Sequence, residues 1–506
     1  MLIGFSAFAQ KTENEPQKNA WPNAVSYEIF VRSFADSDGD GIGDINGITA
    51  QLPYLKKLGV EGIWLTPISP SPTYHKYDVT DYRAIDPEYG TMQDFKNLVQ
   101  EAHNMGIKII PDLVANHSSS MHPWFLEAMK GKENPYHDYY LWNTTSNLKD
   151  TVNWHLTKDA RSKGESAERY YGFFWSEMPD LNYDNPKVRE EIIDIAKFWL
   201  QETDVDGFRL DAAQHIYDAT EVLKNVAWWR QFREALMPIK KDLFLLGEVW
   251  NKDTIVARYL DQALSGCFNF DLSFALQAAA KKENAKQLVE NLMRIRQIYA
   301  QYNHNFIDAT ILSNHDQNRI MNELNGNIKQ AKMAGSLLLT LPGSPYVYYG
   351  EEIAMLGHKP DENIREPFIW DSQKMDPKQT SWMKPVFSNN ATVVGAKQQM
   401  NDSSSFWNSY QKFLLFRAQN NVMRLGTLES AAVKNTAVCA FYRILDGDSL
   451  LVIHNLSKKE QQFNFKSLGL DWNHIELIDG GNYKPLQSKG IIAPYTTVVL
   501  SKRKKY

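Results

Sequence analysis

Four short segments of this 506-residue chain put ionisable side chains where β-rich runs end: Asp112-Leu-Val-Ala-Asn116-His117, Gly207-Phe-Arg209-Leu-Asp211, Gly247-Glu248-Val-Trp250 and Ser313-Asn-His315-Asp316. Arg209 stands two residues before Asp211, so the two share one strand face. A cation within hydrogen-bonding reach favours the ionised carboxylate, the state a nucleophile needs. One such pair is also what a structural salt bridge looks like. Three acids brought to one mouth, flanked by Arg209, His117 and His315, are a like-charge cluster that a merely structural site has little reason to keep. Paired carboxyls of this kind carry nucleophilic and general acid–base chemistry.

The elements around these segments alternate. Strand-like runs at 27–32, 62–66, 107–113, 205–210, 243–247, 267–271, 309–312 and 345–349 are interleaved with helix-length amphipathic stretches at 48–58, 91–105, 186–202, 221–237, 279–302 and 328–341. A further helix near 405–420 closes the series. Eight β/α units imply an α/β fold, a (β/α)8 TIM barrel whose active residues sit at the carboxyl ends of the strands. The rhythm breaks over 114–180, rich in Tyr, Trp, His and Asn, which reads as an inserted domain. Beyond 426, short alternating runs at 437–442, 449–454 and 496–500 read as a C-terminal all-β sandwich. The expected organisation is a leader at 1–20, a barrel at 21–113 and 181–425, the insertion at 114–180 and the β domain at 426–506.

Bulk properties narrow the partner. With 23% charged residues and a net charge of -5, the chain has no pull toward nucleic acid or anionic membrane. No run approaches the roughly 20 apolar residues of a membrane span. Aromatic residues make up 12%, including 14 Trp, which suits a ligand that stacks. Cys267 and Cys439 lie in different expected domains and define no disulfide framework. The apolar start ending Ala7-Phe8-Ala9 has the small-x-small pattern of a signal-peptide cleavage site, without a basic n-region, so export to the periplasm or outside the cell is expected.

The four segments, in this order and on these strands, resemble the motif regions of the α-amylase superfamily, glycoside hydrolase family 13. The resemblance implies a retaining mechanism on α-glucosidic bonds. Asp211 would be the nucleophile, Glu248 the proton donor and then base, and Asp316 the third acid, which holds substrate hydroxyls. Glu248 would need a raised pKa, and its carboxyl should stand about 5–5.5 Å from that of Asp211. His117 and His315 would bond the same sugar and Tyr77 would stack on it. Asp361 and Arg365 resemble the pair that grips its hydroxyls, and Trp250 is a further substrate-binding candidate. The implied substrate is an α-glucan or maltooligosaccharide. Ala212, where relatives that cut α-1,6 bonds tend to carry Val, favours α-1,4 bonds. Gln214 replaces the Lys of many amylases, and Met178-Pro-Asp-Leu-Asn182 resembles an intermediate α-amylase group. An endo-acting α-amylase is therefore expected, as a monomer, since no N-terminal dimerisation domain of the cyclodextrin-degrading kind precedes the barrel. An oligosaccharide-trimming α-glucosidase or neopullulanase-like enzyme is the alternative. A non-catalytic glucan-binding barrel would lack the three acids that this chain keeps.

Two calcium sites are expected. Asp36-Ser-Asp38-Gly-Asp40-Gly-Ile42-Gly-Asp44 has carboxylates at alternate positions, the spacing of a hard-cation loop, with Asp36, Asp38, Asp40, the Ile42 carbonyl and Asp44 as ligands. The resemblance implies a second Ca2+ on Asn116, Asp180 and the His215 carbonyl.

Overall fold

The expected strands form as β1 (Ser26–Ile29), β2 (Gly62–Leu65), β3 (Lys108–Leu113), β4 (Gly207–Leu210), β5 (Phe244–Gly247), β6 (Gly266–Phe268), β7 (Ile307–Thr310) and β8 (Ser344–Tyr348) in a computed structural model. It describes residues 21–143, 152–157, 168–431, 433–464, 472–485 and 489–502. The Ala7-Phe8-Ala9 pattern and part of the insertion lie outside the described residues. All eight strands pair in parallel and close on themselves, β1 lying between β2 and β8. Trp64, Ile110, Phe244, Leu246, Phe268, Ile307, Ala309 and Tyr346 fill the lumen, so the barrel is a packed core with its chemistry at one end.

Helices form on the outside wherever caps frame an apolar stripe. Asp44 caps Ile45–Leu58 by accepting from the N–H of Gly47, and Thr91 with Asp94 makes a reciprocal capping box for Met92–Asn104. Asn185, with Pro186 in the first turn, starts Pro186–Thr203. Their apolar faces and the outer faces of the strands share one large core.

Two expectations change between β6 and β7. The sixth strand stops at Phe268, because Asn269 caps a helix that already starts at Phe270. The single helix expected at 279–302 is two, Phe270–Lys282 and Leu288–Tyr302. Glu283 (φ 53°) and Gln287 (φ 62°) turn the chain through the left-handed region, and the N–H of Ala285 donates to the carbonyl of Thr436 in the C-terminal part. A tertiary hydrogen bond takes over where the helix ladder is broken, which helical periodicity does not reveal.

Between β3 and β4 the chain leaves the barrel and builds a three-stranded antiparallel sheet, with Arg169–Tyr171 between Trp142–Asn143 and Trp154–Leu156. The C-terminal part has a five-stranded antiparallel sheet and a three-stranded one. In Asp448–Asn455 the strand period divides the side chains. Leu451 and Ile453 join Phe463, Tyr483 and Ile492 of the smaller sheet in one core, whereas Leu450 and Val452 join the barrel's core. The expected TIM barrel with a C-terminal all-β domain is thus borne out. No helix among the described residues is long and apolar enough to cross a membrane.

Candidate active site

Register decides which side chains meet. β3 and β4 pair Asp112 with Arg209, and β4 and β5 pair Leu210 with Gly247, so Asp211 and Glu248 leave the barrel side by side. Gly207 starts β4 at φ 149°, and a Cβ there would lie 1.8 Å from the carbonyl oxygen of Phe244, so only glycine lets β4 approach β5 this closely. Immediately after Asp211, Ala212 adopts φ 45° and aims its N–H at Oε2 of Glu248, 3.0 Å away. Left-handed backbone is costly for alanine and tends to be kept where it serves a site.

Arg209 is the hub. Fully buried, it sends Nη1 to both oxygens of Asp112 (2.9 Å each) and to Oδ1 of Asp211 (2.6 Å). Its Nη2 lies 2.9 Å from Oε2 of Glu248, off the direction of its N–H bonds, and its plane packs over Trp64. One guanidinium thus serves three carboxyls. The expectation that Arg209 alone keeps Asp211 ionised is corrected here. Burial pushes the Asp211 carboxyl up to about 8 against Arg209, with Glu248 and Asp112 adding to the rise. Burial likewise raises Asp112. Asp211 and Asp112 share Arg209 and titrate together rather than one by one, so they keep a proton further up the pH scale than free carboxyls do.

The opposite wall is charged the other way. Asp316 accepts from Nη2 of Arg365 at 2.9 Å on Oδ1, and its Oδ2 stands 3.0 Å from Nε2 of His315. Burial would raise Asp316, but His315 and then Arg365 hold it far below the usual carboxylate range. Arg365 also donates to Asp361 (3.3 Å), to the Tyr74 hydroxyl (3.0 Å) and to the carbonyl of His315 (2.9 Å). Between the walls lies a cavity of about 740 Å³. Tyr77, His117, Asp211, Glu248, Asp316, Asp361 and Arg365, all expected from the sequence, line it. The Tyr77 ring stacks against His315, and its hydroxyl bonds Nε2 of His315 (2.7 Å) and Asp112 (3.0 Å). His117 holds Nδ1 on Asn116 (2.9 Å), and its buried Nε2 has no protein partner. Burial lowers its pKa to about 3, so the ring is neutral.

Other residues at the site, Met178 apart, carry no sequence signal of their own. Tyr74, His75, Phe174, Trp175 and Met178 complete the cavity wall from loops. Glu28, in the middle of β1, lies beneath the site with its Oε1 2.6 Å from Nδ1 of His315. Trp250 stands apart from the cavity lining, half-exposed and stacked face to face on Phe270 (4.2 Å between ring centres). Gln214 is turned toward the same rim, accepting from Asn251 (3.3 Å) and donating to the carbonyl of Trp250 (3.4 Å).

The metal candidates separate. Asp36, Asp38 and Asp40 bring carboxylate oxygens within 4.8 Å of one another, the one such acidic cluster among the described residues. Asp44 is not part of it. Its Oδ2 accepts from the N–H of Ser37 (2.7 Å) and its Oδ1 from the Ser37 hydroxyl (2.8 Å) and the N–H of Gly47 (2.7 Å), because it caps the next helix. Ile42 bonds its N–H to Asp40 (2.7 Å). Asn116, Asp180 and His215 do meet, as a hydrogen-bonded trio: Nδ2 of Asn116 donates to Oδ2 of Asp180 (3.2 Å) and to the carbonyl of His215 (2.6 Å). Burial pushes Asp180 up to about 7.

Known proteins share this architecture. Residues 28–426 match the family model described as the alpha amylase catalytic domain, and residues 438–499 match the alpha-amylase SusG C-terminal domain. Alpha-amylase 3 of Dictyoglomus thermophilum is 43% identical over 487 residues, 96% of this chain and 94% of that one. A 4-alpha-glucanotransferase of Thermotoga neapolitana is 35% identical over 87% of this chain and 97% of its own length. The crystal structure of an alpha-amylase from H.orenii superposes with a TM-score of 0.86 at 40% identity, covering 95% of this chain and 99% of that one. Motifs, barrel and C-terminal domain agree, and the chain is a member of the α-amylase family of glycoside hydrolases.

Proposed function

We propose that this enzyme hydrolyses internal α-1,4-glucosidic bonds of starch and maltooligosaccharides with retention of anomeric configuration. The observation that carries the reading is Arg209, which holds Asp211 on one terminal nitrogen with Glu248 beside the other. A retaining pair needs its two carboxyls about 5–5.5 Å apart, and two acids gathered on one guanidinium suit that short spacing.

Asp211 attacks the anomeric carbon while Glu248 gives its proton to the departing glycosidic oxygen, and a covalent glycosyl–enzyme forms. Glu248 then takes a proton from water, which displaces Asp211 and releases the sugar as its α-anomer. The reaction needs one charged and one protonated carboxyl, and closely spaced carboxyls resist ionising together, which suits that division. Asp316, kept anionic by His315 and Arg365, accepts from sugar hydroxyls and favours the oxocarbenium-like state. The unpartnered Nε2 of neutral His117 accepts from another hydroxyl. Exposed Phe174 and Trp175 on one wall and Trp250 on the rim offer faces to further sugar rings, which suits a long chain bound across the site. Ala212 after the nucleophile supports α-1,4 bonds.

Calcium belongs to the same proposal. The Asp36, Asp38 and Asp40 cluster suits a hard cation that would tie the β1 loop together. The Asn116 trio would accept one only with the amide reversed to present Oδ1. Export rests on the Ala7-Phe8-Ala9 pattern.

Digestion of starch, pullulan, isomaltose and cyclodextrin tests the specificity. Rapid loss of long chains with mixed maltooligosaccharides, and isomaltose left intact, is the expected result. Release of glucose from chain ends with cleavage of isomaltose would replace it with the trimming reading.

A further inference from the structure

The acid beneath the site has a function of its own. Glu28 occupies the middle of β1, opposite Trp64 of β2 and Tyr348 of β8, and is almost fully buried. A carboxyl in a barrel core costs several kcal/mol unless something there needs it. Its Oε1 takes two bonds from one residue, the Nδ1 of His315 at 2.6 Å and the His315 N–H at 3.2 Å. Its Oε2 has no partner, so the side chain is spent on His315 alone. Held from below, the imidazole can present only Nε2 to the cavity, where Asp316 stands 3.0 Å away and the Tyr77 hydroxyl 2.7 Å.

We propose that Glu28 is a positioning residue for the reaction: it fixes His315 as an imidazolium whose Nε2 edge faces the Tyr77 hydroxyl and Asp316, and so keeps that acid ionised with its free oxygen lone pairs aimed at the sugar. This deepens the proposed function and rests on the reading of Asp316 as a substrate-holding acid. Burial acts against the charge on His315, but Asp316 and Glu28 together outweigh it and raise its pKa to about 10. None of the other described groups facing the ring bonds Nδ1. Arg365 donates to its carbonyl, Trp64 meets it edge-on, and Tyr77 stacks on it and accepts from Nε2. His75, kept neutral by burial, and Asp112 stand further out from the ring, and Arg209 acts through its charge on Glu28.

Nitrogen-15 NMR of the histidine side chains, with His315→Asn supplying the assignment, reads the claim without a variant at Glu28. Both ring nitrogens of His315 should carry protons in the wild-type enzyme at neutral pH, and a singly protonated ring would overturn the proposal. Glu28→Gln keeps an acceptor for Nδ1–H but removes the charge. It should lower the His315 titration by at least about one pH unit and cut kcat on maltooligosaccharides about 10–100-fold, with KM little changed. A folded Glu28→Gln with wild-type kcat and an unshifted His315 would also overturn it. Asp211→Asn, assayed alongside, separates the two levels. If that variant is active the fault lies in the reading of the site; if it is inactive while Glu28→Gln is unimpaired, the fault lies with Glu28.

Discussion

Replacing Arg209 with Met removes the cation on which Asp112, Asp211 and Glu248 converge, while keeping most of the side chain's bulk over Trp64. Taking one partner from a buried ion pair costs about 3–5 kcal/mol, because a charge is left in the interior without compensation. Here the stranded carboxyls have an escape, since they can bind protons. A carboxyl whose folded pKa is raised contributes its full stability below the unfolded value of about 4 and loses it as pH climbs through the folded value. In the wild type, Asp211 already behaves in this way up to about 8. Without Arg209, Asp112 and Asp211 are pushed higher still, so above about 8, where wild-type Asp211 contributes no further slope, the variant goes on losing about 1.4 kcal/mol per pH unit for each carboxyl still protonated. The deficit of the variant should therefore be smallest near about pH 5 and widen most steeply as pH passes about 8, toward about 3–5 kcal/mol. Thermal midpoints of both proteins, taken at one scan rate across this range, measure it; a multidomain chain calls for comparing midpoints rather than extracted free energies. A gap that stays flat, or narrows as pH rises, would refute the account of Arg209 as shared counterion.

Asp211→Asn and Glu248→Gln should each lower kcat by roughly 10⁴-fold or more, with the fold retained by circular dichroism; substantial residual turnover would reassign the pair. The pH profile of kcat/KM should fall on the alkaline side through about 8, where the Asp211 set gives up its shared proton, and an undiminished rate well above that would show the proton is not needed. Chelation should lower the thermal midpoint of the wild type, whereas Asp36→Ala combined with Asp38→Ala should start lower and be insensitive to chelator. Equal chelator shifts in both proteins would remove calcium from the Asp36–Asp40 cluster.

Much of the site was legible because it is carried by local patterns. Strand-length apolar runs ending in Asp or Glu, separated by helix-length stretches, place Asp211, Glu248 and Asp316 at one end of a barrel, and the register then brings Asp112 to Arg209. What escaped depends on contacts distant in sequence. Glu28 sits in a strand with nothing to distinguish it, and its role exists only because residue 315 folds over it. Asp44 has the spacing of a metal ligand, yet the helix beginning at Ile45 takes its carboxylate as a cap. The break at 283–287 reflects a hydrogen bond to Thr436, beyond the reach of any local periodicity. The charge of Asp211 was misjudged for a related reason: Arg209 is visible two residues away, but the two further carboxyls sharing it come from other strands.

Retention at the anomeric carbon is the claim that joins the Arg209 geometry to the chemistry, and proton NMR of the first sugars released from a maltooligosaccharide reads it directly. The account predicts that the α-anomer appears first and mutarotates afterwards to the equilibrium mixture. A β-anomer as the first product would mean that water attacks the substrate itself, and would contradict the assignment of Asp211 as nucleophile.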